Sequence, residues 1–592
     1  MKMDAATPAG EAIGFDEEVD LLVFGAGAGG MTAALTGAIA GLEVLLCEKT
    51  GLVGGTTATS GGTTWAPGTE LSRKAGVPDR TEDAAAFLRH VVGERGGDDL
   101  RAAFLAAAPE AIAELEAHSE VRFVASPAHP DYLDGPGAAF GGRALAPVEF
   151  DGRLLGPDFA RIRPPRDVFM GLGGMMVGRG ELGALLAPFA SLGNFRTTLR
   201  MVLRQARDRL GHRRGTRLLM GNALAARLFH SLRRRGTPVW FDSPLAELIR
   251  TGDKETGDRV TGAVVATPQG PRRIRARAGV VLATGGLGWS AELRARLFPA
   301  EVGPLSQAGP GSVGDGIALA ERLGAGVDDG GDSPALWMPC SLLPNGGPVP
   351  SIWPHILLDR AKPGLIAVGR DGRRFVDESA SYHDFCMGMI RAGLSEAWLV
   401  ADAAFVRRYG LGLVLPGGRG RGRLLRAGYL RRGATLTALA AEIGVDVAAL
   451  AEEVAANNRF AETGVDAAFG RGTTTMSRFN GDPAAGGPNP CLGPIATGPF
   501  YAVKVAPIDL AGAGGLRIDA DAGVLDGAGR RIEGLYACGN DAASIFRGTY
   551  PGPGTTLGPA MVFGWRAAHH AARRVNRRGA EAGAVGAAQE TV

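Results

Sequence analysis

The stretch "EVDLLVFGAGAGGMTAALTGAIAGLEVLLCEK", residues 18–49, constrains this chain more than any other. A buried-strand run at 19–24 leads into Gly25, Gly27 and Gly30. A helical stretch of small residues follows, then a second strand, "EVLLCE". Glycine at 25 permits a tight turn, glycine at 27 lets a pyrophosphate approach the backbone, and glycine at 30 lets helix and strand pack closely. The helix N-terminus presents its N–H groups and dipole to phosphate. Glu48 ends the second strand about 20 residues on, where a carboxylate accepts from both ribose hydroxyls and disfavours a 2′-phosphate. Residues 21–42 carry no charge over a membrane-spanning length, but six glycines lie among them, and strand–turn–helix accounts for those better than a span.

This motif serves two dinucleotides, NAD and FAD, and later segments separate them. "GLVGGTTATSGGTTWAPG" (51–68) supplies Gly54, Gly55, Thr56, Thr57, Ser60, Gly61 and Gly62, a second run of N–H and O–H donors along an extended ligand. A flavin dinucleotide needs such a run and NAD does not. Lys49 stands between the two segments. Two further strand ends agree: "GVVLATGGLGW" (279–289) runs into Thr284, Gly285 and Gly286, and "GLYACGND" (534–541) runs into Gly539 and Asp541. Each alone reads as an ordinary turn; together they predict FAD.

Composition removes other classes. A formal charge of +3 over 592 residues offers no general argument for nucleic-acid binding. Five cysteines lie far apart without a C-x-x-C pair, so neither a disulfide frame nor a metal site is expected, and a reducing compartment, the cytoplasm, is. The polar, acidic N-terminus has no signal-peptide h-region. Residues 1–16 and the Ala/Gly/Glu tail after 576 read as disordered.

Over nearly its whole length the chain resembles the FAD-binding fumarate reductase and ketosteroid dehydrogenase superfamily. The motifs that carry the likeness are "GGTTATSGGTTW", "ATGG", "GDGIALAERLGAGV" (314–327), "GRRFVDES" (372–379) and "ETGVDAAFGRG" (462–472). The resemblance implies an α/β fold: a Rossmann-type FAD-binding domain with an inserted α+β catalytic cap. It places the FAD domain at about 17–335 and 506–575 and the cap at about 336–505.

Within that superfamily the stretch "GTYPGPGTTLGP" (548–559) looks like the Tyr-Pro-Gly-x-Gly signature of 3-ketosteroid Δ1-dehydrogenases. Fumarate reductases carry a His-Gly and an Asn-Arg there, and this chain has neither. Arg547 and His383 keep that alternative open, although a carboxylate clamp needs more cations. By resemblance, the Tyr550 hydroxyl and the Gly554 N–H hold the developing enolate oxygen, with the backbone bare at 554 to admit the substrate ring. Thr555, Thr556 and Leu557 open a helix whose N-terminus faces the flavin. Tyr382, in "DESASYHDFC", matches the base that removes the C2 proton, and Tyr132, in "SPAHPDYLDG", the phenol that assists it. A second hydroxyl and local positive charge are expected to lower the phenol's usual pKa of about 10. Tyr501 and Tyr536 read as structural.

Arg196, Arg200, Arg204 and Arg207 recur at helical spacing, and residues 419–432 add six more arginines. Such stripes are usually solvated faces; the sharper reading is peripheral contact with anionic lipid at the inner membrane face, near a quinone acceptor. The whole predicts non-covalent FAD, no metal, and 1,2-desaturation of a 3-ketosteroid or similar fused cyclic ketone. The alternatives are a Δ4 desaturase, an enone or fumarate-type reductase, and a flavin-binding electron-transfer subunit without turnover.

Overall fold

The computed structural model describes residues 14–589, apart from 78, 168–169, 172, 254–256, 345–348 and 357–358. The N-terminal motif folds as its spacing demands: strand Glu17–Phe24, a turn, helix Ala28–Ile39, strand Val44–Cys47. Both strands are apolar and buried along their paired lengths, the pattern of a parallel sheet covered on both faces. This sheet runs in the order Val239–Trp240, Val44–Cys47, Glu17–Phe24, Gly270–Leu282, Gly257–Thr267, Leu245–Asp253. Arg531–Ala537 also joins Gly270–Leu282, and Gly523–Leu525 joins Arg531–Ala537.

Register is what matters for function. Phe24 stands opposite Cys47 and Leu282, and Leu282 opposite Ala537, all in parallel pairs. The chain therefore leaves four strands along one edge of the sheet, and the segments leaving are those around Gly25, Glu48, Thr284 and Gly539. Ligands of open parallel sheets bind outside this carboxyl edge.

The small residues of helix Ala28–Ile39 have a packing reason as well. The final helix, Leu557–Gln589, lies so close that a Cβ on Gly564 would stand 2.5 Å from the Gly29 carbonyl oxygen.

A second, antiparallel sheet orders Ser351–Pro354, Ala335–Leu343, Phe500–Gly512, Ala397–Ala401 and Leu365–Val368, with Leu430–Gly433 also on Phe500–Gly512. Strand Ala335–Leu343 alternates between two cores. Ala335 and Trp337 join one that includes Phe385 and Tyr501, whereas Leu336, Met338 and Cys340 join Tyr132, Tyr382 and Tyr550 in another. Strand Phe500–Gly512 runs straight across the expected boundary at 505/506.

Two expectations of disorder need correction. Residues 1–13 lie outside the described residues, but 14–16 are docked: Asp16 donates its N–H to the Arg273 carbonyl at 2.8 Å, and Arg275 lies over the Phe15 ring. The final helix continues to Gln589, through the stretch expected to be disordered; its alanines have the highest helix propensity of any residue, which outweighs the scattered glycines. Among the described residues, no helix is long and apolar enough to cross a membrane, and no cluster of potential ligands could hold a metal ion.

Candidate active site

The glycines of the sheet edge divide by what faces them. A Cβ on Gly25 would stand 2.1 Å from the Ala283 carbonyl oxygen, and one on Gly30 1.9 Å from that of Gly25. The protein's own backbone fills those places. Gly27 is different: its nearest neighbour would be Thr57 Oγ1 at 3.9 Å. At Gly55 the nearest is the Gly27 Cα at 3.8 Å, and at Gly539 the Ala560 Cβ at 4.0 Å. These bare positions open a cradle over the first helix, and a Cβ would begin to fill it. A cavity lined by Gly539, Asn540, Thr555, Thr556, Ala560 and Leu336 adjoins the Gly539 turn. Leu336 packs with the three site tyrosines, so this cavity reaches toward them.

Glu48 is buried at the strand end. Its carboxylate accepts from the Ala26 N–H at 2.9 Å and from the Thr50 N–H and hydroxyl at 2.9 and 2.8 Å. Two oxygens offer about four acceptor positions, so one remains for a ribose hydroxyl. The donor set, bare backbone and length of this edge fit a flavin dinucleotide. Glu48→Ala should weaken FAD binding by about 1.5–3 kcal/mol, the range for lost charged hydrogen bonds. Fluorescence titration of apoprotein with FAD measures this, with the melting temperature as control because Ala26 and Thr50 also lose their acceptor.

Several residues expected along the ligand also hold the turns together. Thr57 Oγ1 accepts from the Ala28 N–H at 3.0 Å, Thr56 Oγ1 from Gly309 at 2.9 Å, and Ser60 Oγ from Gly62 at 3.0 Å. Thr555 Oγ1 donates to the Gly552 carbonyl at 3.0 Å. Asp541 binds the Thr284 N–H and hydroxyl and the Gly286 N–H, tying two strand ends into one platform. Burial raises its carboxyl to about 6. Lys49 forms an ion pair with Asp315 at 2.8 Å and also donates to the Gly311 carbonyl. The "GRRFVDES" and "ETGVDAAFGRG" motifs meet in a buried network: Arg374 bridges Glu378 and Asp466 at 2.7 and 2.8 Å, and Arg471 joins Glu378 at 3.3 Å.

Three tyrosines far apart in sequence meet in a core built on the second sheet. Tyr382 Oη donates to Tyr550 Oη at 2.8 Å, and Tyr132 Oη lies 3.3 Å from Tyr382 Oη. All three are buried. Tyr382 opens helix Tyr382–Arg391, where Ser381 caps by accepting the Asp384 N–H and donating to the Asp384 carboxylate. Tyr132 is held to the glycine-proline turn through its own N–H, which donates to the Pro551 carbonyl at 2.8 Å.

Residues that sequence reasoning passed over fix this arrangement. Asp131 accepts from Trp65 Nε1 at 2.9 Å, from Arg143 at 2.6 Å and from the Ala139 N–H at 3.0 Å. A Cβ on Gly552 would stand 2.8 Å from Asp131 and 2.9 Å from the Trp65 indole nitrogen. Asp131 thus joins the Tyr132 loop, strand Thr64–Trp65 and the Tyr550 turn. An aspartate beside a candidate tyrosine was the only signal available.

Two expectations are overturned here. Gly554 has φ +93°, and its Cβ would lie 2.4 Å from the Thr63 carbonyl oxygen and 2.7 Å from the Trp65 nitrogen. The backbone is bare because strand Thr64–Trp65 runs against it, not to admit a substrate ring. Its N–H donates to no partner among the described residues. The Tyr382 phenol is not lowered either. Burial pushes it well above the usual value, and the phenols of Tyr132 and Tyr550 add to that rather than relieve it. Burial also raises Tyr132, and takes Tyr550 to about 12 against relief from Tyr382 and Thr555.

No carboxylate clamp is formed by the two candidate cations. Arg547 pairs with Asp328 at 2.6 Å and donates to the Arg95 carbonyl. His383 is buried and its pKa is lowered by desolvation. Its Nδ1 accepts the Trp337 N–H at 3.3 Å, so the ring is neutral, and it also bonds the Gly548 backbone. Tyr501 and Tyr536 stand apart from the cluster, bonded to Arg421 and His570.

Known proteins resemble this chain over nearly its whole length. The model of the family described as the FAD binding domain matches residues 20–557. A 4-oxocyclohex-2-ene-1-carboxylate 5-dehydrogenase of Sinomonas cyclohexanicum is 37% identical, over 94% of this chain and 94% of its own. A 3-oxosteroid 1-dehydrogenase of Mycobacterium tuberculosis is 35% identical, over 95% of this chain and 100% of its own. The crystal structure of 3-ketosteroid Δ1-dehydrogenase from Sterolibacterium denitrificans, in complex with 1,4-androstadiene-3,17-dione, superposes with a TM-score of 0.85 at 35% identity, covering 94% of this chain and 100% of that one. The chain belongs to the FAD binding domain family, among the flavin-dependent dehydrogenases that include the 3-oxosteroid 1-dehydrogenases, and it is an FAD-dependent oxidoreductase.

Proposed function

We propose that the protein desaturates a 3-ketosteroid between C1 and C2. The observation that carries this reading is the convergence of three buried phenol oxygens beside a turn whose Gly554 N–H is uncommitted among the described residues. Tyr550 and the Gly554 N–H donate to the 3-keto oxygen and hold it as enolate charge develops. Tyr382 takes the C2 proton, and Tyr132 donates to the phenolate this requires. FAD, when bound, supplies at N5 the acceptor for the hydride that leaves C1. The buried surroundings exclude water, so the donors act in a medium where charge stabilisation is strong.

The domain plan that supports this chemistry is a Rossmann-type FAD domain formed from both ends of the chain, with an inserted cap. The two sheets, and the tyrosine core built on the second, fit it. No histidine falls within residues 25–62, 279–289 or 534–541, which supports non-covalent FAD; acid precipitation should release all of the flavin. The five unpaired cysteines support a cytoplasmic location.

A second reading has its own support. The Sinomonas relative is named for a monocyclic oxo acid, and the same tyrosine chemistry acts on any ring ketone with an adjacent CH–CH bond. Turnover with an artificial electron acceptor tests the choice: the steroid reading expects a product with a new C1=C2 bond. A new C4=C5 bond would overturn it in favour of Δ4 chemistry. Because Tyr382 is raised above the usual phenol value, kcat should still be climbing at about pH 10, and a plateau near neutrality would contradict a free phenolate base.

A further inference from the structure

The helix Leu192–Arg209 lies on the protein with most of its large apolar residues outward. Met201, Gln205 and Asp208 are its buried residues, and Asp208 accepts the N–H and hydroxyl of Thr216 at 2.8 and 2.9 Å. Leu192, Phe195, Leu199, Val202 and Leu203 are all exposed, Leu192 by 75% and Leu203 by 60%. At helical spacing these five fall within an arc of about 100°, opposite the buried side. Leu210, just past the helix, is exposed by 89%, and Phe189, just before it, is exposed by 85% and stacks on Phe195 at 6.1 Å. Eight of the seventeen large hydrophobic side chains exposed among the described residues lie between Leu182 and Leu210. Scattered apolar residues on a surface are ordinary; this is a contiguous patch.

Charge identifies what covers the patch. Arg196, Arg200, Arg204 and Arg207 follow one edge of the apolar arc, and Asp208, the only acid on the helix, faces inward. We propose that this face docks the protein on an anionic lipid bilayer, with the apolar arc seated at the headgroup–acyl boundary and the arginines on lipid phosphates. A second copy of the chain fits less well, because a two-fold contact would bring the arginine edges together without an acid to answer them. A bilayer surface also concentrates apolar ketones and quinones, the substrate and acceptor classes expected of the site. The inference stands apart from the tyrosine chemistry and can fail without it.

Flotation of purified holoenzyme with vesicles tests it. The protein should float with phosphatidylcholine vesicles containing phosphatidylglycerol, stay behind with phosphatidylcholine alone, and detach as salt is raised. Arg196→Gln with Arg200→Gln should weaken the partition on the order of tenfold or more. Leu199→Asp with Leu203→Asp should abolish it, and flavin content and turnover of soluble substrate should not change in either variant. Wild-type protein that stays behind with anionic vesicles, or variants that float as well as wild type, overturn the proposal. So does a wild-type dimer in solution that Leu199→Asp with Leu203→Asp converts to monomer, since the face would then belong to a second copy.

Discussion

Tyr382→Phe is expected to lower kcat by roughly 10²–10⁴-fold, the contribution of a positioned general base, while KM changes little. The ring stays, so packing against Tyr132 and Tyr550, whose ring centroids lie 5.4 and 5.2 Å away, is preserved. What is lost is the proton acceptor and the middle of a three-hydroxyl chain. Exchange of the C2 hydrogen with solvent deuterium, followed by mass spectrometry without an electron acceptor, should fall in parallel. Exchange at the wild-type rate would assign the base elsewhere. The removal also leaves Tyr132 and Tyr550 short of a buried partner, at about 1–3 kcal/mol for an unsatisfied group, so a modest drop in melting temperature should accompany it.

Tyr550→Phe is expected to cost roughly 10²–10³ in kcat, the usual loss for one oxyanion donor. The Gly554 N–H remains, so activity should be reduced rather than abolished. Gly554→Ala should behave in another way. At φ +93° an alanine is strained, and its methyl meets the backbone of Thr63 and Trp65. The turn must shift, taking Tyr550 and the start of the final helix with it, so loss of flavin and of stability should accompany loss of turnover. Measuring kcat, KM and bound FAD in both variants separates the two outcomes.

Much of the cofactor edge was legible because glycine spacing and strand patterning report on backbone geometry directly. Gly25, Gly27 and Gly30 gave strand, turn and helix, and Glu48 stands buried at the end of the second strand, as its position implied. Hydroxyl residues carry a second role that pattern does not show: the side chains of Thr56, Thr57 and Ser60 accept the backbone N–H groups that close the turns shaping the cradle. A residue type cannot say which of two nearby acceptors or donors it will choose. The meeting of Tyr132 with Tyr382, 250 residues on, came from family resemblance and not from pattern, since no local period encodes a long-range contact. The pKa of Tyr382 was misjudged because burial raises it and the neighbouring phenols raise it further. The reason for the bare backbone at 554 lay in strand Thr64–Trp65, almost five hundred residues away. Helix Leu192–Arg209 was legible as an arginine stripe, but which side faced the protein was not.

Anaerobic titration of the purified flavoprotein, with a 3-ketosteroid saturated at C1–C2 beside 4-oxocyclohexanecarboxylate, tests the central claim most directly. The account predicts that the steroid bleaches the flavin stoichiometrically and leaves as the 1,2-unsaturated ketone. Flavin that stays oxidised with the steroid and bleaches with the monocyclic acid would contradict it.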